Sequence, residues 1–158
     1  MPTYRAERRV HHSAAQMFDL VVDVESYPKF LPFCTGTRLR NREQIAPGVE
    51  RSIAEMEVGY KAIREKFTTR GTFDRPNLKV LVQYVDGPFS RLENRWSFRD
   101  VETQDGAPAC VVDFFITYEF KSRILAVLLG SMFETIFKRF SAVFEARADE
   151  VYGKRRIS

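Results

Sequence analysis

Residues 122–153 read SRILAVLLGSMFETIFKRFSAVFEARADEVYG, and the architecture follows from this stretch. Leu125, Leu129, Met132, Ile136, Phe140 and Val143 recur at helical spacing. Leu128, Phe133, Phe137 and Phe144 widen that stripe into a broad apolar face. Glu134, Lys138, Arg139, Glu145, Arg147, Asp149 and Glu150 supply a polar side. Ser122 is placed to cap the first turn by accepting from an unpaired backbone N–H. Gly153 is placed to end the last turn, and Lys154, Arg155 and Arg156 follow where the helix dipole favours cations. The pattern predicts one long C-terminal helix. An aromatic face this wide needs a large concave partner.

The upstream chain predicts that partner. In Thr3–Val10, Tyr4, Ala6 and Val10 alternate with Arg5, Glu7 and Arg9, which predicts a strand. Ser13-Ala-Ala-Gln16 resembles a capping box, and Met17, Leu20, Val21 and Val24 give the helix behind it a buried stripe. His11 and His12 have no third ligand cluster beside them, so they read as a solvated strand–helix junction rather than a metal site. Two prolines in Ser26–Phe33 (SYPKFLPF) limit that segment to a short helical turn and a bend. Its Tyr27, Phe30, Leu31 and Phe33 either fold back on the core or form a lip at the mouth of a cavity.

From Thr37 the period becomes two. Arg38, Arg40 and Arg42 alternate with Thr37 and Leu39, three cations on one strand face. They read as a charged edge that resists aggregation, or as a basic surface for phosphates. Further strands follow through Ala54, Met56, Val58 and Tyr60, then Ile63 and Phe67, then Leu78, Val80, Val82 and Tyr84. Leu92, Trp96 and Phe98 mark another, and Cys110, Val112, Phe114, Ile116, Tyr118 and Phe120 the clearest of all. Pro47-Gly48, Arg75-Pro-Asn77 and Asp86-Gly-Pro-Phe89 are turns. The expected fold class is α+β. A curved antiparallel sheet of about seven strands wraps a long C-terminal helix, with one or two short helices after strand 1. All of 1–158 is expected to form a single domain.

Composition narrows the function. The hydrophobic share of 44% and charged share of 29% are those of an ordinary globular chain. Fourteen phenylalanines in 158 residues supply a core and leave some to line a ligand cavity. The net charge of +4 and pI near 9.2 suit an anionic membrane surface or nucleic acid without requiring either. Cys34 and Cys110 form no CxxC pair, so neither zinc nor a disulfide framework is expected and a reducing compartment fits. MPTYRAERR has no apolar core of a secretory signal. The apolar run from Ile124 is too short to span a bilayer. No nucleophile elbow, P-loop, dinucleotide fingerprint or metal spacing occurs, so no catalytic or metal-binding residue is expected. The nearest acid–base pair, Arg64 and Glu65, alternates onto opposite faces.

Several pieces together carry a resemblance. They are Asp23-Val-Glu-Ser-Tyr-Pro-Lys-Phe-Leu-Pro-Phe-Cys34, Asp86-Gly-Pro-Phe89 before Leu92 and Trp96-Ser-Phe98, Asp113-Phe with Tyr118-Glu-Phe120, and Phe144-Glu-Ala-Arg147 before Tyr152-Gly153. The chain resembles the START-like, helix-grip superfamily, and within it the coenzyme Q-binding START-domain proteins of the polyketide cyclase/dehydrase group. That group includes the bacterial ribosome-association toxin. The resemblance implies a hydrophobic cavity for ubiquinone or a related isoprenoid lipid. It implies a binding or chaperone role in ubiquinone biosynthesis and respiratory electron transfer, not an enzyme. Ubiquinone is then a bound ligand and no cofactor is needed. The mitochondrial members carry a presequence that is not visible here. A bacterial-type member in the cytoplasm, or peripheral on the inner face of the membrane, is therefore expected.

Two alternatives remain. One is a ribosome-association toxin that binds the large ribosomal subunit, with Arg38, Arg40, Arg42, Arg5, Arg9 and the Lys154–Arg156 tail meeting rRNA phosphates. The other is a polyketide cyclase-like enzyme. DNA is not an expected partner.

The chemistry agrees with a lipid ligand. Burial of aliphatic carbon contributes roughly 0.8 kcal/mol per CH₂. An empty cavity costs about 24 cal/mol per Å³, so a large one should hold lipid or partly collapse. The expected ligand-binding residues are Leu31 and Phe33 from the lip and Phe89 after the Gly87-Pro88 turn. Trp96 and Phe114 come from the sheet interior, and Phe133, Phe137 and Phe140 from the helix stripe. Tyr60, Trp96 and Tyr118 read on inward faces, either as ordinary core packing or as donors to a quinone carbonyl.

Overall fold

A computed structural model describes residues 2–60 and 62–153. The chain runs β1 (Thr3–Val10), α1 (Ala14–Val22), a 3₁₀ turn (Val24–Lys29), and β2 (Cys34–Ala46). It continues through β3 (Val49–Tyr60), β4 (Ile63–Asp74), β5 (Lys79–Asp86), β6 (Phe89–Asp100) and β7 (Cys110–Phe120) to α2 (Arg123–Tyr152). The seven strands form one sheet in the order β1-β7-β6-β5-β4-β3-β2, and every pair is antiparallel. Hairpins join β2 to β7 in sequence, and β1 returns to pair with β7. Register shifts in the β2–β3, β4–β5 and β6–β7 ladders bend the sheet.

The expected helix forms, with its ends where the sequence placed them. Ser122 Oγ accepts from the Leu125 amide at 3.2 Å, and the Gly153 amide donates to the Asp149 carbonyl at 3.0 Å. Lys154–Arg156 lie outside the described residues. Leu129, Met132, Phe133, Ile136, Phe137, Phe140 and Phe144 are buried. Leu128 departs from the expected stripe: it is 56% exposed although Leu125 and Leu129 pack on the core, because at about 100° per residue it falls on the flank of the helix away from them. The helix packs on α1, β7 and β1.

The capping box at α1 is complete, with Gln16 N–H donating to Ser13 Oγ at 3.1 Å and Ser13 N–H to Gln16 Oε1 at 2.9 Å. Met17, Phe18, Leu20 and Val21 are buried behind it. His12 is a correction. It is not solvated but 3% exposed, and its Nε2 lies 2.7 Å from Asp149 Oδ1 on the last turns of α2. An imidazole at this junction can be buried because a carboxylate from the far end of the chain meets it.

The basic strand face is also corrected. Asn41 has φ +54 and the β2–β3 register shifts between Arg40 and Glu43, so the alternation that aligned Arg38, Arg40 and Arg42 is interrupted. Arg40 pairs with Glu55 at 3.0 Å and Arg42 with Glu50 at 3.2 Å. β2 is an edge of the sheet, and these charges guard it. Among the described residues no helix is long and apolar enough to cross a membrane.

Candidate functional site

The inner face of the sheet and α2 enclose a cavity of about 80 Å³. Strands β3 to β7 contribute by alternation: Ala54, Met56 and Val58 from β3, Phe67, Thr69, Gly71 and Phe73 from β4, Val80 and Val82 from β5. Leu92, Asn94 and Trp96 follow from β6 and Ile116 from β7. Phe133, Ile136, Phe137 and Phe140 of α2 form the opposite wall, and Val21, Val24, Tyr27, Leu31 and Pro32 close one side. This volume is well below the roughly 300–1,000 Å³ of small-molecule sites.

Of the expected residues, Leu31, Trp96, Phe133, Phe137 and Phe140 line the cavity, and Phe33, Phe89 and Phe114 do not. Phe33 has φ +66, a left-handed conformation that is costly for a bulky residue. It is held there as its carbonyl accepts from the Gly59 amide at 2.8 Å and its ring packs edge-on to Tyr60, 5.1 Å between centroids. Phe89 is fully buried, with the rings of Phe67, Tyr84, Tyr118, Phe120 and Phe133 around it. It fills space rather than facing it. Phe114 is covered by Tyr4, Trp96 and Phe140.

The lip residues divide in the same way. Tyr27 and Leu31 fold back on the core, where the Tyr27 hydroxyl donates to the Val21 carbonyl. Burial raises the Tyr27 phenol far above its ordinary value, with Asp23 adding to the effect. Phe30 is half-buried against Tyr27 and Phe144.

Of the candidate donors, Trp96 and Tyr118 pack in the core, and Tyr60 does not face inward. Tyr60 is 42% exposed at the end of β3. Tyr118 is buried, but its ring packs between Phe89 and Phe137 and does not line the cavity. Trp96 does line it, but its Nε1–H donates to Asn94 Oδ1 at 2.9 Å and is thereby used. Asn94 Nδ2 donates in turn to the Phe115 carbonyl at 2.9 Å.

One polar group in the wall remains. Thr69 is 7% exposed, and its hydroxyl has no hydrogen-bond partner among the described residues. The signal for it was present: Thr69 shares an alternating face with Phe67, Gly71 and Phe73, a lone hydroxyl on an apolar strand face. Arg64 and Glu65, the candidate acid–base pair, do not line the cavity, and Arg64 is exposed near Glu57 at 3.9 Å.

Both thiols are inert fillers. Desolvation pushes Cys34 up to about 11 and Cys110 up to about 12, so neither is a thiolate at neutral pH. A wall of aliphatic and aromatic carbon with a single unpartnered hydroxyl suits an elongated apolar molecule that carries a hydrogen-bond acceptor.

Comparison with known proteins places this geometry. The chain is similar to the ribosome association toxin RatA of Escherichia coli (strain K12), 35% identical over 155 residues, 98% of this chain and 92% of that protein. It is also similar to the mitochondrial coenzyme Q-binding protein COQ10 homolog B of Xenopus laevis, 30% identical over 156 residues, 98% of this chain and 61% of that protein. Among solved structures, the 18 kDa protein CC1736 of Caulobacter crescentus superposes with a TM-score of 0.74 at 35% identity, covering 98% of this chain and all of that one. A START superfamily protein of Mycobacterium smegmatis shares the fold, with a TM-score of 0.65 at 18% identity over 94% of this chain and 98% of that one. The family described as "Polyketide cyclase / dehydrase and lipid transport" matches residues 10–145. The chain belongs to the polyketide cyclase/dehydrase and lipid transport family, and its sheet and long helix adopt that family's helix-grip arrangement.

Proposed function

We propose that the chain binds ubiquinone or a related isoprenoid quinone between the sheet and α2. On this reading it is a quinone-binding chaperone for ubiquinone biosynthesis and respiratory electron transport, in the cytoplasm or on the inner face of the membrane. The observation that carries the reading is the cavity wall, apolar except for the unpartnered Thr69 hydroxyl and the Asn94 amide that Trp96 holds. The isoprenoid tail would occupy the space among Phe133, Phe137, Phe140 and Leu31. Thr69 would donate to a ring carbonyl. The similarity to a coenzyme Q-binding protein supports the choice of ligand. A cavity of about 80 Å³ must widen to take such a ligand, and the side closed by Leu31 and Pro32 is the one formed by neither the sheet nor α2. No catalytic step is part of this reading, because the wall offers no acid–base pair.

The test is native mass spectrometry of the purified chain, with organic extraction and identification of what co-purifies. A stoichiometric isoprenoid quinone is expected. No bound lipid, together with no uptake of ubiquinone from vesicles, overturns the reading.

A second reading has a specific observation behind it: the toxin relatives named for ribosome association match nearly the full length. Association of this chain with the large ribosomal subunit would show as co-sedimentation that falls steeply between about 50 and 200 mM salt. Quinone retention inside an apolar cavity should hardly change over that range. The pairing of Arg40 and Arg42 with Glu55 and Glu50 reduces the free positive charge this reading needs.

A further inference from the structure

Exposed apolar side chains gather at one end of this molecule. Among the described residues, Tyr60, Val85, Ile124, Val127 and Leu128 are large, apolar and exposed there. The topology puts them together: β3, β5 and β7 end on this side, and α2 begins from the end of β7. The Lys121 amide donates to the Pro88 carbonyl at 3.0 Å, which fixes the start of α2 to the β5–β6 turn. Ile124, Val127 and Leu128 are 72%, 81% and 56% exposed, and their spacing sets them in one stripe on the first turns of the helix. Single exposed aliphatics are ordinary, but a stripe of three is a contact surface.

Two features say what covers it. Lys121 and Arg123 bracket the start of the stripe, both exposed, with no acidic partner among the described residues. The positive end of the α2 dipole lies at the same place. Asp86 and Glu119 are also at this end of the sheet. The cavity wall reaches the same end of the molecule, on the opposite face of α2 from the stripe. Phe133 stands one turn beyond Leu129 and forms part of the wall, and Val58 and Phe67 line the cavity close to the β3–β4 hairpin at this same end. A second copy of the chain is a poor fit, because three aliphatic side chains fall far short of the roughly 800 Å² per partner that a stable interface buries.

We propose that this end docks on an anionic lipid bilayer. Ile124, Val127 and Leu128 enter the acyl boundary, and Lys121 and Arg123 lie among the headgroup phosphates. The inference rests on the reading of the cavity as a lipid site, since docking here sets the apolar end of the cavity against the bilayer.

The full chain is tested by sedimentation with vesicles of phosphatidylcholine alone and of phosphatidylcholine with phosphatidylglycerol. Binding is expected to be stronger to the anionic vesicles and to weaken in about 1 M salt, where the Debye length falls to about 3 Å. The double variant I124S/V127S should lose binding at least tenfold, and K121E/R123E should remove the preference for phosphatidylglycerol. Wild-type binding by I124S/V127S, or no binding of the wild type to either vesicle, overturns the proposal. So does a wild-type dimer in analytical ultracentrifugation that I124S/V127S converts to monomer. The cavity is assayed separately, with ubiquinone delivered from cyclodextrin. Quinone retention without vesicle binding removes the docking surface alone. Vesicle binding without quinone retention by either delivery removes the ligand reading alone.

Discussion

Thr69 and Asn94 face the same apolar chamber with different hydrogen-bonding prospects. Asn94 is occupied on both sides of its amide, by Trp96 and by the Phe115 carbonyl. It therefore holds the indole in place and has little left for a ligand. Thr69 has its hydroxyl to give. A hydrogen bond of that kind contributes about 0.5–1.5 kcal/mol net. Thr69→Val keeps the shape of the side chain and removes the donor. It should weaken quinone binding by roughly 2- to 10-fold by that contribution. Affinity for an aliphatic probe without a carbonyl should stay the same or improve. Equal losses for both ligands would mean that Thr69 acts through packing, and no loss for either would remove it from the site. Sequence reasoning missed both residues, although Thr69 shares the alternating face of Phe67, Gly71 and Phe73, and Asn94 that of Leu92 and Trp96. The placement of Phe33 was not legible, because nothing in its neighbours announces the positive φ that turns its ring toward Tyr60.

At the scale of elements, the sequence carried the strands and both helices because each repeats its period over many residues. β7 shows six apolar residues in strict alternation, and α2 shows ten at helical spacing, so local noise has little effect on either assignment. What periodicity cannot show is where an element stops touching its partner. Leu128 continues the stripe of α2 by its spacing from Leu125, yet it stands at the edge of that face and is exposed while Leu125 and Leu129 pack on the core. The pairing of His12 with Asp149 likewise joins residues 137 positions apart and leaves no local trace.

The β5–β6 turn shows the opposite case, a local feature with a distant consequence. Gly87 has φ +141, and a Cβ there would stand 2.5 Å from Phe67 Cβ and 2.9 Å from Phe67 Cα. Phe67 in turn packs on Phe89 and Phe133 and lines the cavity. Gly87→Ala combines a disfavoured backbone conformation with a clash against backbone that cannot swing aside. A loss of about 1–3 kcal/mol in unfolding free energy is expected. Chemical denaturation measures it, and an unchanged midpoint would show that the turn is loose enough to relax.

At the scale of the whole molecule, a ligand cavity sets two costs against each other. A cavity wide enough for a quinone would be expensive to hold empty, and a cavity of about 80 Å³ is too small to receive one. Any cost of widening it is contained in the dissociation constant of the ligand. Ligand binding must then stabilise the folded state by mass action. At 100 times the dissociation constant the gain is about 2.7 kcal/mol. For a domain of this length, about 2–4 °C per kcal/mol makes that a rise of roughly 5–11 °C in Tm. Ubiquinone analogues of increasing tail length should separate a filled cavity from a greasy surface. Inside the cavity, each added isoprene unit strengthens binding by up to about 0.8 kcal/mol per buried CH₂ until the walls can yield no further. The Tm measured at one fixed ligand concentration should therefore climb over the first units and then level off. A steady climb with no plateau would place the tail outside the fold, along the exposed stripe of α2. A flat response from the shortest analogue onward would mean that the tail does not enter at all.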